Sequence, residues 1–512
     1  MVSSAEEGSQ LYLRHCAACH GEKGDGQGIA AKFVFPKPRD FRAGRFRLVN
    51  TANGIPSNAD LEAVLKRGMP GSAMLPWAHL GDEAVGLLVK QVRQFHREGI
   101  RDQELRIAAE DDEELSEDEL QEITDRLTTP GPLLEAPELG GASAAAVGRG
   151  KQLYLKREIG CIGCHGEQGK GDGQTTMVDA EGLPTRPRDL TAGFFKGDPD
   201  PASVFRRILT GMPGSPMPAA QGLSADQVAD LTHFVLSLSD EATREATVLK
   251  RLQLTAVHVA GLPSAGDSSE WEAIEPVALR TTSLWWRDDA DPGLTVQAVH
   301  DGESIAMRLH WRDEQADLHA ARSESFEDAV AIELYRGDAE PFVGMGAMNA
   351  AVDVWLWDAD RQGSPDVEDV NPRLVVDSYP FSEVAAATAE YQDRDGTKTE
   401  NQPDVSLPAR ASGNQIRSAG SGSGASSLTT GGPGSSTFRL PTSQKSVAHG
   451  TWSEGRWTVV LTRALAVAGP GDGVMLEPGA KVSVAFAVWD GAHRERDGNK
   501  SITVWQDLIL ED

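Results

Sequence analysis

The sequence predicts three parts in order: two all-α modules of common design, followed by a mainly-β sandwich. Three observations carry that reading. The string Cys16-Ala17-Ala18-Cys19-His20 returns as Cys161-Ile162-Gly163-Cys164-His165. Each copy is followed, at similar intervals, by matching landmarks and then by an apolar pattern of helical period. Beyond residue 265 that period gives way to alternation of apolar and polar residues, which belongs to strands.

At 512 residues the chain exceeds one ordinary core and fits about three domains. A hydrophobic content of 39% is enough for globular domains, although aromatic content is low. With 49 basic and 77 acidic residues the formal charge is -28, which argues against a nucleic-acid partner and for salt-sensitive docking with a basic one. No apolar run reaches the roughly 18 residues that a membrane span needs, so no span is expected. The opening residues, Met1-Val2-Ser3-Ser4-Ala5-Glu6-Glu7, hold neither a basic nor an apolar region, so no signal peptide is visible in this sequence.

The repeated string uses all 4 cysteines, leaving no thiol for a disulfide. In C-x-x-C-H the two thiols are spaced to form thioethers with the vinyl groups of one haem, and the adjacent histidine reaches the iron. Cys16 and Cys19 with His20, and Cys161 and Cys164 with His165, therefore point to two covalent c haems. Zinc ribbons and thioredoxin-like sites also use C-x-x-C. Neither requires a histidine directly after each pair, and no strand-helix thioredoxin pattern surrounds either copy. Covalent haem attachment normally follows export, so a periplasmic location is expected, with the leader removed or left out of this sequence.

Taken in order, each module opens on the same apolar stretch, Gln10-Leu11-Tyr12-Leu13 and Gln152-Leu153-Tyr154-Leu155. Glycine-rich sequence follows each histidine, as suits a loop passing close to a flat macrocycle. Next come Lys37-Pro38-Arg39-Asp40-Phe41 and Arg186-Pro187-Arg188-Asp189-Leu190. Arg39 and Arg188 are candidates to neutralise haem propionates, although arginine is more commonly a surface residue. Phe41 and Phe46, with Leu190, Phe194 and Phe195, read as packing around the haem. The third landmark is Gly68-Met69-Pro70-Gly71-Ser72-Ala73-Met74, repeated as Gly211-Met212-Pro213-Gly214-Ser215-Pro216-Met217. A thioether is a soft ligand suited to haem iron, and chemistry alone leaves Met69 against Met74 and Met212 against Met217. Amphipathic helices over 82–96 and 224–238, with Asp82 and Ser224 as N-caps, close the modules.

Both segments resemble class I cytochrome c domains, over about residues 8–100 and 148–240. In that family the distal methionine stands before a proline, which maps onto Met217 and Pro218. Its counterpart is Met74, where Leu75 intervenes before Pro76, and Met69 is the weaker alternative. Residues 101–147, with acidic runs at 110–114 and 117–119, are expected to be a solvated face or flexible linker between domains at 1–100 and 148–245, with docking of a basic partner as the alternative.

In the C-terminal part, 294–299 and 304–309 read as a hairpin around Asp301-Gly302, and further strands are expected at 329–335, 351–357, 457–462 and 482–489. Many short strands favour a β-sandwich. The Gly/Ser-rich stretch 411–437 is expected to be a long mobile loop. Composition alone allows a carbohydrate-binding module. Particular strings go further: Leu309-His310-Trp311-Arg312-Asp313, Gly344-Met345-Gly346, Val352-Asp353-Val354-Trp355-Leu356-Trp357 and Val488-Trp489-Asp490-Gly491. They resemble the haem-binding gamma subunits of ethylbenzene dehydrogenase and of related periplasmic molybdenum enzymes, including dimethylsulfide dehydrogenase and nitrite oxidoreductase, over residues 268–512. The resemblance implies one non-covalent b haem held by a methionine and a lysine, carried onto Met345 and Lys500, with Met348 and Lys445 as fallbacks. A lysine ligates iron only as the neutral amine, so Lys500 would have to be desolvated or held by the metal.

The expected function is a periplasmic multihaem electron-transfer protein or subunit with no catalytic residues of its own. It would relay electrons between a molybdopterin and iron-sulfur oxidoreductase and a downstream cytochrome or oxidase, with the molybdenum and iron-sulfur subunits as partners. Two alternatives stand beside it. One is a dihaem, peroxidase-like enzyme with an open iron position; the other is a dihaem cytochrome whose sandwich binds a ligand and no haem.

Overall fold

The computed structural model describes residues 4–173, 176–287, 293–318, 326–363, 423–439, 443–467, 469 and 473–512. The chain divides into two compact units, one of residues 1–250 with 282–288, the other of 251–281 with 289–512.

The first unit is helical and holds both haem-motif modules. Module 1 comprises α1 (Ser4–His15), α2 (Ala17–His20), α3 (Asn58–Arg67) and α4 (Gly81–Glu110). After α5 (Glu117–Thr128), module 2 comprises α6 (Ala144–Tyr154), α7 (Cys161–His165), a hairpin of β1 (Met177–Val178) and β2 (Pro184–Thr185), α8 (Pro201–Thr210), α9 (Ala225–Leu236) and α10 (Glu241–Ala246). Residues 282–288 add β5 (Thr282–Ser283). Serines at three starts make reciprocal capping boxes, Ser57 with Asp60, Ser116 with Glu119 and Ser224 with Gln227. Ser224 is thus the N-cap expected. Asp82 is not: α4 begins at Gly81, and Asp82 lies in the first turn, paired with Lys66 at 2.7 Å.

In each module the first helix crosses a later long one, α4 in module 1 and α9 in module 2, at a glycine. A Cβ on Gly8 would lie 3.1 Å from the Leu87 carbonyl oxygen, and one on Gly150 would lie 2.0 Å from that of Asp230. The two glycines occupy the same place relative to Gln10 and Gln152.

The acidic stretch, expected as a solvated face or a flexible linker, is largely helical, with its acidic runs exposed. Helix α4 runs on through Glu110, and α5 folds back beside it, burying Leu120 and Thr124. Arg97–Asp125 at 2.7 Å and Arg101–Glu117 at 2.6 Å tie the two together. The acidic side chains are therefore one face of a packed hairpin, a pairing that local composition does not encode.

The second unit is built on one sheet with β3 (Gln253–His258), β4 (Val277–Arg280), β6 (Gly293–His300), β7 (Ser304–Arg312), β8 (Ala329–Tyr335), β9 (Val352–Asp358), β10 (Ala425–Thr430), β11 (Thr437–Phe438), β12 (Val447–Ser453), β13 (Arg456–Ala464), β14 (Lys481–Trp489), β15 (Ser501–Ile502) and β16 (Gln506–Leu510). The main order is β11-β10-β9-β8-β14-β16-β3-β6-β7-β13-β12, with β15 beside β14 and β4 beside β6. The β16–β3 and β3–β6 pairs are parallel. Alternate residues face one core: Val330, Ile332 and Leu334 of β8 meet Ile305, Met307 and Leu309 of β7 and Val459 and Leu461 of β13. The far ends of the sheet meet there, forming the expected sandwich. Trp357 of β9 stacks edge-on against Trp457 of β13 at 4.9 Å and faces Trp311 of β7 at 6.3 Å. Gly450 of β12 leaves room for it, since a Cβ would come within 2.2 Å of the Trp357 ring.

Of the stretch expected as a mobile loop, 411–422 lies outside the described residues, while Ala425–Thr430 is a strand paired with β9. Serine is tolerated there because Ser426 and Ser427 are buried among hydrogen-bond partners, including the Gln444 side chain.

Behind the tryptophans, oxygens of Asp313, Asp328 and Asp490 lie within 4.8 Å of one another. Burial, aggravated by Asp328 and Asp490, pushes Asp313 up to about 7, and burial pushes Asp328 up to about 6. A carboxyl raised in the folded state contributes stability that is present below its unfolded value and lost as pH rises through the folded one. Asp313→Asn is therefore expected to gain stability over the parent as pH rises from about 4 to about 7. Urea unfolding at both pH values, with a chelator present, checks this. Trp357→Ala should cost the second unit about 3–5 kcal/mol in the same assay, because the cavity lies at the meeting of the sheet ends.

Candidate haem centres

In module 1, α1 delivers Cys16 to the start of α2, and Gly21 ends that helix at φ 78°. The Tyr12 hydroxyl, buried against Phe95, donates to the Gly21 carbonyl at 2.7 Å. Module 2 repeats this: Tyr154 packs on Phe234 and donates to Gly166 at 2.6 Å. These tyrosines hold the C-x-x-C-H turn against the closing helix, a role their repetition signalled but their side chains did not specify.

Burial lowers both histidines to about 4, so each imidazole is neutral and able to bind metal at ordinary pH. His20 Nδ1 is 2.9 Å from the Arg39 carbonyl oxygen. The contribution of Arg39 to this histidine is thus its backbone, while its side chain pairs with Glu181 of module 2 at 3.1 Å. Arg188, expected in the matching role, is buried, and its guanidinium lies 4.6 Å from the Trp286 ring. Phe41 stacks on His20 at 4.5 Å. The thiols of Cys16, Cys19, Cys161 and Cys164 are free of disulfides.

The methionine loops share one hydrogen-bond pattern. Met69 N–H donates to the Met74 carbonyl at 2.9 Å, and Met212 N–H to the Met217 carbonyl at 3.0 Å. Gly68 and Gly211, at φ 70° and 67°, admit that closure, since a Cβ on either would lie 2.5 Å from the methionine carbonyl oxygen. In module 2 a cavity of about 740 Å³ is lined by Cys161, Cys164, His165, Met212 and Met217, with Leu190, Phe194, Phe195 and Leu231. Its size, apolar walls and N, S donor set fit a haem. Both methionines line it.

In the second unit, Met345 and Lys500 are brought to one carboxylate. Burial pushes Glu333 of β8 up to about 8, while the Lys500 ammonium and the Met345 backbone N–H both act to hold it down. Lys500 is 7% exposed, sits over the Trp489 ring at 4.8 Å, and is held below the usual lysine range by burial. Met345 takes φ 86°, fixed by Thr430 Oγ1 and Gly432 N–H donating to its carbonyl. A desolvated lysine near a methionine fits the implied ligand pair. Of the fallback positions, Met348 is 95% exposed and Lys445 is at the surface. Glu333 went unpredicted, because a single acidic residue in an apolar strand gives no sign of which loops will cover it.

Residues 268–501 match the profile of the ethylbenzene dehydrogenase family. Residues 147–239 match that of cytochrome c, and residues 3–92 that of subunit III of cbb3-type cytochrome c oxidase. The chain joins two cytochrome c domains to an ethylbenzene dehydrogenase-type domain. Its cytochrome c domains imply covalent c haems and electron transfer. A candidate respiratory nitrate reductase haem subunit of Haloferax mediterranei is 24% identical over 305 residues, covering 59% of this chain and 76% of that protein. The dimethylsulfide dehydrogenase subunit gamma of Rhodovulum sulfidophilum is 25% identical over 226 residues, covering 44% of this chain and 63% of its own length. Among solved structures, the reducing HAO-like protein complex of Kuenenia stuttgartiensis is 32% identical over 47% of this chain and 98% of that one, with a TM-score of 0.38. Among the described residues no helix is long and apolar enough to cross a membrane.

Tyr154→Phe is expected to cost the first unit about 1 kcal/mol, the value of one buried hydrogen bond. Thermal unfolding of the holoprotein, with haem content unchanged, checks it.

Proposed function

We propose that this fusion is a three-haem electron relay: two c haems on His20/Met74 and His165/Met217, and one b haem on Met345/Lys500. The approach of Met345 and Lys500 to Glu333 carries the third assignment, because a buried lysine with a lowered pKa offers the neutral amine that iron requires. For the c haems, Met217 is preferred over Met212 on the family resemblance, and Met74 over Met69 as the counterpart of Met217 in the repeat. The relay would work outside the cytoplasm, in the periplasm, as a subunit or shuttle. It would pass electrons between a molybdopterin and iron-sulfur oxidoreductase and a downstream cytochrome or oxidase. Support for that setting comes from the relatives, one described as a nitrate reductase haem subunit and one as a dimethylsulfide dehydrogenase gamma subunit. The haems supply the electron storage; the chain's own residues bind them, exclude water and set their potentials.

Pyridine haemochrome analysis with acid-acetone extraction tests this reading. Two covalent haems and one extractable haem per chain are expected. Lys500→Ala and Met345→Ala should each lose the extractable haem and keep the covalent pair. Met74→Ala and Met217→Ala should each remove one far-red sulfur-to-iron band. A parent protein with no extractable haem would leave the sandwich a haem-free binding domain, and carbon monoxide binding to a c haem would favour the peroxidase-like alternative.

A further inference from the structure

Equivalent residues of the two cytochrome c domains meet. Arg39 and Arg188 hold one repeated position. Arg47 and Lys196 hold another, ending Ala43-Gly44-Arg45-Phe46-Arg47 and Ala192-Gly193-Phe194-Phe195-Lys196. The packing between domains is itself close to two-fold. Gly71, in the methionine loop of module 1, lies against module 2, where its Cβ would be 3.2 Å from Phe194 and 3.3 Å from Arg188 Nε. The equivalent Gly214 lies against module 1, its Cβ 3.8 Å from that of Arg45, which is the counterpart of Phe194.

The four cations occupy one partly buried place. Arg188, Arg47 and Arg39 all act on the Lys196 ammonium, which burial and those charges together push down to about 7. Two carboxylates answer them, Asp179 on Arg47 at 2.7 Å and Glu181 on Arg39 at 3.1 Å. Both sit in the turn of the β1–β2 hairpin, within an interval from His165 to Arg188 that is four residues longer than its counterpart in module 1. The balance stays positive. Arg47 is 9% exposed, and its Nε is buried without a hydrogen-bond partner. Module 1 reaches the neighbouring cavity too: Leu48, Val64 and Arg67 line it beside His165 and Lys196, and Arg67 Nε lies 3.8 Å from Asp198 while it and Nη2 are buried without hydrogen bonds. Arg67 has no cationic counterpart, since Thr210 stands at its place in the repeat. Buried positive charge with unmet donors calls for anions. Each c haem carries two propionate carboxylates.

We propose that Arg39, Arg47, Arg188 and Lys196 form a propionate-binding site shared by the two c haems, so that each domain helps set the reduction potential of the haem in the other. This rests on the reading that both domains carry haem. A cation held near a haem in a medium of low dielectric favours the reduced, less positive state, so losing one should lower the potential.

The test uses full-length holoprotein and spectroelectrochemical titration. Each c haem is identified by pairing the substitutions with Met217→His, which moves the module 2 haem to a separate potential. Arg47→Gln, in module 1, should lower the potentials of both c haems, and Lys196→Gln, in module 2, should do the same. Glu181→Gln should raise both. Lys196→Arg should restore parental values. Both far-red bands should persist in the proteins that keep Met217, and two covalent haems per chain in all of them, so a change of ligation is not the cause. Shifts confined to the haem of the substituted domain, or no shift from Glu181→Gln, would overturn the proposal. A parent chain without covalent haem by pyridine haemochrome would instead sink the reading beneath it.

Discussion

In each cytochrome c domain the first helix touches α4 or α9 backbone to backbone at a glycine, and the turn after the haem-motif histidine is tied to that crossing by one buried hydroxyl. Gly8 against Leu87 and Gly150 against Asp230 bring the helices together; Tyr12 and Tyr154 then reach the carbonyls of Gly21 and Gly166. The histidine and both cysteines lie within that turn, so their aim depends on the crossing. A larger residue at either glycine would force the helices apart before it touched any haem contact. The methionine loop is governed by the opposite edge of the same packing, through the glycine that closes it.

The domains are alike but not independent. Their methionine loops pack against each other's Gly-x-Phe segments, and the cavity around His165 takes part of its wall from α3 of the preceding domain. The hairpin in module 2 meets the cations of module 1 with Asp179 and Glu181. Duplication followed by such divergence lets two similar sites acquire different surroundings, and electrostatic surroundings are the protein's main means of separating potentials when ligands are the same.

The sheet domain solves its problem differently. Its core is filled by side chains of alternating residues, and the proposed b-haem ligands come from loops, with Glu333 on the strand β8 between them. A buried carboxylate beside a buried lysine is costly: burial raises Glu333 and lowers Lys500, and the attraction between the two offsets only part of that. The same economy appears at Asp353, where Arg439 at 3.0 Å and Arg463 at 2.6 Å share one carboxylate in the interior.

By itself the sequence determined what repeats and what alternates. The C-x-x-C-H strings, the paired methionine loops and the duplicated Gln-Leu-Tyr-Leu segments need no tertiary structure to be read, because their chemistry is set by spacing along the chain. Strands such as β8 and β14 were legible to within a residue, since large apolar side chains recur at every second position in each, from Val330 to Leu334 and from Val482 to Val488. Tertiary structure alone decided the rest. Acidic composition concealed α5, whose register comes from arginines on another helix. Arg39 was legible as a cation near a haem motif, yet its carbonyl meets His20 and its side chain meets the other domain. The meeting of Arg47 with Lys196, and of Glu333 with Lys500, joins residues far apart in the chain whose types are ordinary one by one. Only the packing of whole domains puts such charges close enough, and dry enough, to matter.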